Sequence, residues 1–589
     1  QTITLNDAAV GGANGTSSAI QVTAAAPSSI AVSAGTPQSA YLSAPFATPL
    51  TVLVTDSYGN IVANADVTFT APASGASATL SAPQCFTGSN GICQVTATAN
   101  ATVGSYTVTA TINGTSDTVS FSLTNNPPPN LVVTTSADDA GTAANCTVQA
   151  STTTGTDRNC SLRDALLKSA ALGQANIYFG SSEFGPGSGI AVSSPLSIPS
   201  GTAIVGPTTG SGPTLTSLVT VTVNGSGFAD VTVNSGVTGA SISNMTITQG
   251  SNSGPGGCLV NAGGLTLTNV ALPNCFGNAN GAVIENTGSL TLANSNISSY
   301  TYSQGNGGCI DNSGTLQVFN TTIANCSANG NGGAINNSNF AILENSSLYG
   351  NGGQSGGGIE NSGTLVLVNT TLYENSAGSG GGVDNTGTFA AANVTFSGNW
   401  AASGGAGISN SGGLQVQNTI LAGDQGPECL ATAGSCPTNG AGGNVIGVSN
   451  PGLLPLANYG GNQLTLMPLP GSAAICAGSS ALVPIGVTAD ERGLPLNASC
   501  VDAGAVQTNY VQVNTLADTQ NSDTSSCTDG GTCSLRDAVL QSAANPDIGF
   551  APALFRSGSP AVPTPATLTL SSPLNLTQTT MNLAGPGAN

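Results

Sequence analysis

The sequence predicts an all-β protein, an antiparallel sandwich near the N-terminus followed by a parallel β-helix. Three observations carry this. The first is composition: of 589 residues 80 are glycine, while only 5% are charged and 4% aromatic. Strong helix formers such as Lys, Glu and Arg are scarce, and Thr, Val, Ser, Asn and Gly are abundant, as in strands joined by tight turns. The second is repetition: "GGGIENSGTLVLVNTTLYENSAGS", Gly356 to Ser379, is followed at once by "GGGVDNTGTFAAANVTFSGNWAAS". The third is period-two alternation over residues 20–125, with turn signals about every 8–12 residues.

The repeat can be counted. An apolar residue after a glycine pair falls at Val260, Ile284, Ile310, Ile335, Ile359, Val383 and Ile408, at spacings of 24, 26, 25, 24, 24 and 25. A second register runs through Asn269, Asn294, Asn320, Asn345, Asn369, Asn393 and Asn418. Fixed periods of this size mean a solenoid. Each period holds three short runs, for example "GIEN", "TLVLVN" and "TTLYEN", which make one coil stacked about 4.8 Å on the next. Residues 190–420 are therefore expected to form a rod about 40–50 Å long. Ile and Val stack into a column that no single coil could bury. Gly serves corners needing positive φ, and Asn at successive corners forms an amide ladder.

Family resemblances sharpen this division. "VTDSYGNIVANADVTFTAP" with "GSYTVTATING" resembles the bacterial immunoglobulin-like (Ig-like) domains of invasin- and intimin-type surface proteins, which implies an extracellular spacer. After the stiff linker "NNPPPN" comes "CSLRDALLKSA", Cys160 to Ala170, read as a helix N-capped by Ser161. It returns as "CSLRDAVLQSA", Cys533 to Ala543, so a unit starts near residue 131 and again near 510. Both copies resemble the Cys-Ser-Leu-Arg-Glu-Ala motif of secreted bacterial β-helix proteins, with Asp164 and Asp537 in place of its Glu. That resemblance implies a short helix capping a right-handed parallel β-helix. "GGAI" at Gly332–Ile335 and "FSGN" at Phe396–Asn399 resemble repeats of polymorphic outer membrane proteins. "ADERGLP" and "VDAGAVQ" resemble the closing module of choice-of-anchor proteins. The expected organisation is an N-terminal strand segment (1–19), an Ig-like sandwich (20–125), a linker (126–130) and a cap region (131–189). A β-helix (190–420), a closing module (421–508) and the start of a second β-helix unit (510–589) complete it.

Charge and cysteine narrow the function classes. The net charge is −20, from 26 acids against Arg158, Arg163, Lys168, Arg492, Arg536 and Arg556, and there is no histidine. Nothing here could neutralise nucleic-acid phosphates or favour an anionic membrane surface, and no apolar run approaches the ~20 residues of a membrane span. The 14 cysteines fall into near neighbours: Cys85 with Cys93, Cys146 with Cys160, Cys258 with Cys275, Cys309 with Cys326, Cys429 with Cys436, Cys476 with Cys500, and Cys527 with Cys533. Seven local disulfides in an oxidising compartment are expected, each locking a loop or coil corner, with buried free thiols as the alternative. No signal peptide precedes Gln1, which predicts that one was removed or that the sequence is a piece of something longer. Arg163 and Arg536 are expected to pair with local carboxylates or carbonyls, with a binding role as the alternative, and Arg492 is expected in a fold-tying pair with Asp490, Glu491 or Asp502.

No cofactor is required by this reading, and no catalytic residues are assigned. Between Ser169 and Glu491 there is no Lys, Arg or His, so polysaccharide lyase chemistry lacks its cationic stabilisers. Paired carboxylates suffice for a hydrolase. Glu285, Asp311, Asn336, Glu360, Asp384 and Ser409 follow the repeat apolar residue, and alternation points them outward in a column. Three readings are weighed: a solvated acidic stripe, calcium held by Glu285/Asp311 and Glu360/Asp384, and glycoside hydrolysis. The sequence thus predicts a non-enzymatic, secreted structural or adhesive surface protein with itself, surface glycans or other cells as partners. The alternative is a carbohydrate-binding adhesin or glycoside hydrolase using the acidic face. Head-to-tail polymerisation is also expected, the strand "QTITLND" of one subunit completing the β-helix at "NLAGPGAN" of another. The other outcome is a covalent array of tandem units.

Overall fold

The computed structural model describes residues 4–6, 14–16, 23–209, 216–217, 219–223, 227–299, 302–518, 527, 532–541, 547–551, 554, 556–557, 562–563, 567–574 and 582–584. They fall into two compact units, residues 1–129 and 130–589. Of the N-terminal strand expected to join subunits, Thr4–Asn6 pairs antiparallel with Asn14–Thr16. The rest of residues 1–12, and residues 585–589 at the proposed junction, lie outside the described residues.

In the first unit the alternation produces two facing sheets. One runs Gln38–Tyr41, Thr118–Asn126, Gly104–Ile112, Asp66–Thr70, Gln84–Phe86, and the other Ser29–Ala34, Leu50–Thr55, Ile92–Val95. Every second residue of the long strands points inward: Val52 and Val54, Val108 and Ala110, Phe121 and Leu123 are buried together. The Cys85–Cys93 disulfide ties one sheet to the other. "DSYGN" makes a turn around Asp56, whose carboxylate accepts the amides of Ala25, Tyr58 and Asn60, each at 2.9 Å.

The second unit is a parallel β-solenoid. A ten-stranded sheet carries one strand per coil from Leu196–Ser197 to Cys429–Ala431, beside a twenty-stranded and a five-stranded sheet. The internal apolar column is Leu259, Ile284, Ile310, Ile335, Ile359, Val383 and Ile408, aligned coil on coil and all 0% exposed. The counted repeat slips by one at its first member: Leu259, not Val260, takes the inward position, and Val260 aligns with Glu285. Coils also extend beyond 190–420. Asn130–Val133 and Ala175–Phe179 pair in parallel below, and Val445–Ile446 pairs above. Their alternating apolar residues, Leu131, Val133, Ala175, Ile177 and Phe179, enter the same core.

Three asparagine columns hold the coils together. The expected corner column, Asn269 to Asn418 with Asn244 before it, has φ between 45° and 58°. Asn tolerates that left-handed region better than other side-chain-bearing residues. Amide bonds run along part of it, at 2.9 Å (Asn269 to Asn244), 3.0 Å (Asn369 to Asn345) and 3.1 Å (Asn393 to Asn369). The stronger ladder is internal: Asn261, Asn286, Asn312, Asn337, Asn361, Asn385 and Asn410. Each side-chain amide donates to the next carbonyl oxygen at 2.6–2.7 Å. A third ladder links Asn351, Asn375 and Asn399 and stops at Asp424, which accepts but cannot donate when ionised.

Corner glycines make the close turn possible. Gly332 has φ 72°, and a Cβ there would lie 2.4 Å from the Ile335 carbonyl oxygen. Replacing it with Ala combines a disfavoured φ with a backbone clash. Gly332→Ala is expected to destabilise the second unit by about 2 kcal/mol or more, measured by denaturant unfolding, whereas Gly486→Ala, at a corner with open space, costs less.

The helix Leu162–Leu172 starts at Ser161 with a capping box to Asp164 and ends at Gly173 in the left-handed region. Asp164 also accepts from the Thr142 amide and, at 3.0 Å, from Asn145. The second copy, Leu535–Gln541, repeats the Ser534–Asp537 contact.

All fourteen cysteines pair with their expected neighbours, at Cα–Cα separations of 4.4–6.0 Å, so the free-thiol alternative falls away. Within the repeat their placement departs from the expectation in two cases. Cys258–Cys275 and Cys309–Cys326 do not lock surface corners: all four residues are 0% exposed and belong to the solenoid core. Cys258 and Cys309 each precede a strand of the ten-stranded sheet, and Cys275 and Cys326 each follow a strand of the twenty-stranded sheet. Each bond therefore closes its own coil across the interior. Cys429–Cys436 does hold a loop, half-buried, after the last strand of the ten-stranded sheet.

The closing module folds back along the solenoid instead of extending it. Asn418 exchanges two hydrogen bonds with Ser479, Asn369 donates to the Ala489 carbonyl, and Ser347 donates to the Leu464 carbonyl. Beyond it, Val511–Val513, Asp547–Phe550 and Asn582–Ala584 start a second parallel stack.

Candidate functional site

The predicted acidic column exists in register: Glu285, Asp311, Asn336, Glu360, Asp384 and Ser409 stand one above another on successive coils. It is not a solvated stripe. Asp311 is 7% and Glu360 8% exposed, and Glu285 and Asp384 are half-buried. Alternation sends these side chains out of the core, but the glycine corner of each coil folds back over the strand. A Cβ on Gly307 would lie 2.7 Å from the Asp311 amide nitrogen. The corner therefore packs against the strand and shields part of the column from water. Counting sequence positions could not reveal that packing.

Burial governs the charge of these groups. Burial, then the Asp311 carboxylate one coil away, pushes Glu285 up to about 7. Burial, then Asp384, does the same to Glu360, also up to about 7. Burial raises Asp311 too, against the pull of amides from Asn336, at 2.5 Å, and Asn280. Asp384 is raised by burial against the Ser379 and Ser409 hydroxyls. One oxygen of Glu285 and one of Glu360 is buried without a hydrogen bond.

Chemically the column offers a proton-bearing glutamic acid beside an aspartate one strand away. Strands so stacked lie about 4.8 Å apart, near the separation of about 5–5.5 Å that retaining glycosidases use. For calcium, the side chains of Glu360, Asp384, Ser379 and Ser409 carry two carboxylates and two hydroxyls, at the lower end of the about 6–8 oxygens the ion takes. Among the described residues the one cluster of metal-ligating type is Cys476, Cys500 and Asp502. Its sulfurs are tied in a disulfide, and Asp502 is engaged at 2.6 Å by the Thr508 amide and hydroxyl.

Other buried acids escaped the sequence reading. Asp230 is 0% exposed with neither carboxyl oxygen in a well-formed hydrogen bond, and burial pushes it up to about 8. Burial, then Glu428, raises Asp424 at the end of its ladder. Glu491 turns away from Arg492 into the solenoid, where Thr371 and Thr465 hydroxyls lie at 2.6 Å and Ser347 at 3.1 Å. Burial still pushes it up to about 8.

The arginines tie the fold, as the sequence suggested. Arg163 grips Asp138 at 2.8 and 3.1 Å and the carbonyls of Ser194 and Pro195. Arg536 repeats this with Asp518, Ser572 and Pro573. Of the three partners open to Arg492, the structure selects Asp490 at 2.8 Å and adds Asp547 of the second stack at 3.2 Å, all three side chains buried. No pattern near Arg492 marks Asp547, which lies 55 residues on. Breaking this joint is expected to loosen the second stack. Asp547→Ala should cost about 3 kcal/mol locally and speed hydrogen exchange in Val511–Val513 while leaving the coils of residues 259–410 unchanged.

Residues 47–124 match the model of the bacterial Ig-like domain, group 1. No curated protein and no solved structure matches the chain. The first unit is thus a bacterial Ig-like domain, and the second is a parallel β-solenoid. Among the described residues no helix is long and apolar enough to cross a membrane. An Ig-like domain of this kind, a β-solenoid and seven disulfides fit a structural or adhesive surface protein and are consistent with an extracellular location.

Proposed function

We propose that the protein is a non-enzymatic extracellular component of the bacterial surface, structural and adhesive in role, with no obligatory cofactor. The observation that carries this is the bacterial Ig-like match at residues 47–124 ahead of a disulfide-tied solenoid. The duplicated arginine cap supports membership of the secreted β-helix proteins opened by the Cys-Ser-Leu-Arg-Glu-Ala motif. Units also follow one another in series: the second cap docks on the closing module through Arg492–Asp547 and through Asn582, which donates to the Tyr459 carbonyl at 2.9 Å. Serial docking of that kind supports head-to-tail growth into a stalk or filament, a heterologous contact that does not close.

Labelling of intact cells with an antibody to residues 130–589 should stain the surface, and beads coated with the chain should attach to host or neighbour cells. Staining confined to permeabilised cells would overturn the reading. For the filament, deletion of residues 1–12 should abolish fibres seen by electron microscopy, and fibres formed without them would refute strand joining. A second reading, glycoside hydrolysis, is favoured by one specific observation, the raised Glu360 beside Asp384.

A further inference from the structure

The corner asparagines form one edge of a track that runs the length of the solenoid. Its other edge is a column one strand over: Asn296, Thr322, Ser347, Thr371 and Thr395 align coil on coil. The C-terminal half of the track is filled by the chain's own closing module, bound through its main chain and through the Glu491 carboxyl, which accepts from the Ser347 and Thr371 hydroxyls. Asn369 donates to the Ala489 carbonyl at 2.9 Å, Ser347 to that of Leu464 at 2.6 Å, and Gln417 to that of Leu482 at 2.8 Å. Thr395 accepts the Ala505 amide at 2.9 Å. Asn418 reads both groups of one residue, donating to the Ser479 carbonyl at 3.0 Å and accepting its N–H at 2.8 Å.

The closing module ends its coverage at Asn462 and Gln463. Past them the track opens into a cleft of about 400 Å³ lined by Asn269, Asn294, Asn296, Asn320 and Thr322. Gln463 also lines it, is only 5% exposed, and makes no side-chain hydrogen bond among the described residues. Among the described residues no carboxylate, cation or aromatic ring lines the space.

We propose that this open half of the track seats an extended, uncharged polypeptide segment of a partner protein. The proposal rests on the adhesive reading and names the partner's chemistry. Apart from the Glu491 carboxyl, the occupied half binds carbonyls and N–H groups of a backbone laid across the corners. The open half offers the same residue types in the same register, continuous with that interface. The absence of charge in the lining selects an uncharged segment, since a charged side chain would be desolvated there without a counter-ion. Backbone recognition by side-chain amides gives affinity without strict sequence preference, as in strand addition.

The test uses the full chain and pooled peptides about 8 residues long, drawn from Gly, Ala, Ser, Thr, Asn and Gln. That length covers four coils at about 4.8 Å each, given about 3.3 Å per extended residue. Bound peptides are recovered by affinity selection and titrated singly. Asn294→Gly with Asn320→Gly removes two cleft amides at positions where glycine accepts the positive φ (50° and 47°). Asn274→Gly, at φ 54° and outside the cleft lining, is the control. Saturable binding weakened at least tenfold by the double variant and unchanged by the control supports the proposal. No peptide bound, binding that the double variant leaves intact, or a neutral glucan oligosaccharide bound at the cleft in place of peptide overturns it. Bead attachment to cells reads the adhesive role separately: attachment without peptide binding sinks this inference alone, and no attachment sinks the adhesive reading.

Discussion

Thermal unfolding of the second unit is expected to show greatest stability near pH 4–5 and a steady loss as the pH rises to 8. Asp230 and Glu491 are raised to about 8, and Glu285 and Glu360 to about 7, from ordinary values of 3.8 and 4.5. A carboxyl whose folded pKa lies above its unfolded one binds its proton more tightly when folded. Its stabilising effect is fully present below the unfolded value and is lost as the pH rises through the folded one. The window here runs from about 4 to about 8. For the deeply buried Glu491 and Asp230 the loss is on the order of several kcal/mol each. The half-exposed Glu285 adds less, because water screens it.

Below that window the sign reverses. Asp138 and Asp164 are held low: burial works against this, but Arg163 outweighs it at Asp138 and the Thr142 amide at Asp164. Their contribution is present above the unfolded value and lost as the pH falls through the folded one, so stability declines again in strong acid. Calorimetry across pH 3–9 measures the profile. Glu360→Gln, which mimics the protonated acid, should flatten the slope between pH 5 and 8. A profile that rises toward pH 8 would refute the burial of these groups.

The second large effect is expected at the internal ladder. Asn337 accepts from Asn312 at 2.7 Å and donates to Asn361 at 2.7 Å and to the Thr364 carbonyl at 3.1 Å. Aspartate has nearly the same shape and keeps the accepting role, but an ionised carboxylate cannot donate. Asn337→Asp therefore sets oxygen against oxygen toward the next coil and buries a charge at a residue that is 0% exposed. The expected loss is about 3–5 kcal/mol at pH 7, falling at pH 4, where the acid is protonated and donates again. Denaturant unfolding at the two pH values measures it. The natural chain ends its third ladder with just such a group, Asp424, and burial raises its pKa beside Glu428.

How far these features could be read from sequence depends on what each one rests on. The solenoid, its period and the partner of every cysteine were legible, because repeated coils stamp the same constraint on the sequence at each turn. That Cys275 and Cys326 reach their partners through the core was not, since spacing of 17 residues says nothing of which side of the strand each sulfur takes. The corner asparagines were legible for the same reason as the period. The stronger ladder was present in the text as "IEN", "IDN", "INN", "VDN" and "ISN", yet a residue two places past the apolar position can face either way until the corner geometry is known. The acidic column was found at the right residues and placed in the wrong environment. Its burial comes from glycine corners folding over the strand, a packing effect invisible to alternation. Asp547 and the return of the closing module were not legible, since contacts made across 55 to 144 residues leave no local pattern.

The most direct test of the claim that the protein is non-enzymatic and the acidic column catalyses nothing is incubation of the chain with a panel of neutral, acidic and amino-sugar polysaccharides, with assay of released reducing ends. Reactions at pH 5 and pH 7 bracket the range over which Glu360 carries its proton. No release above the heat-treated chain is the predicted result. Release from any polysaccharide that disappears in both Glu360→Gln and Asp384→Asn would contradict the account and make the column an active site.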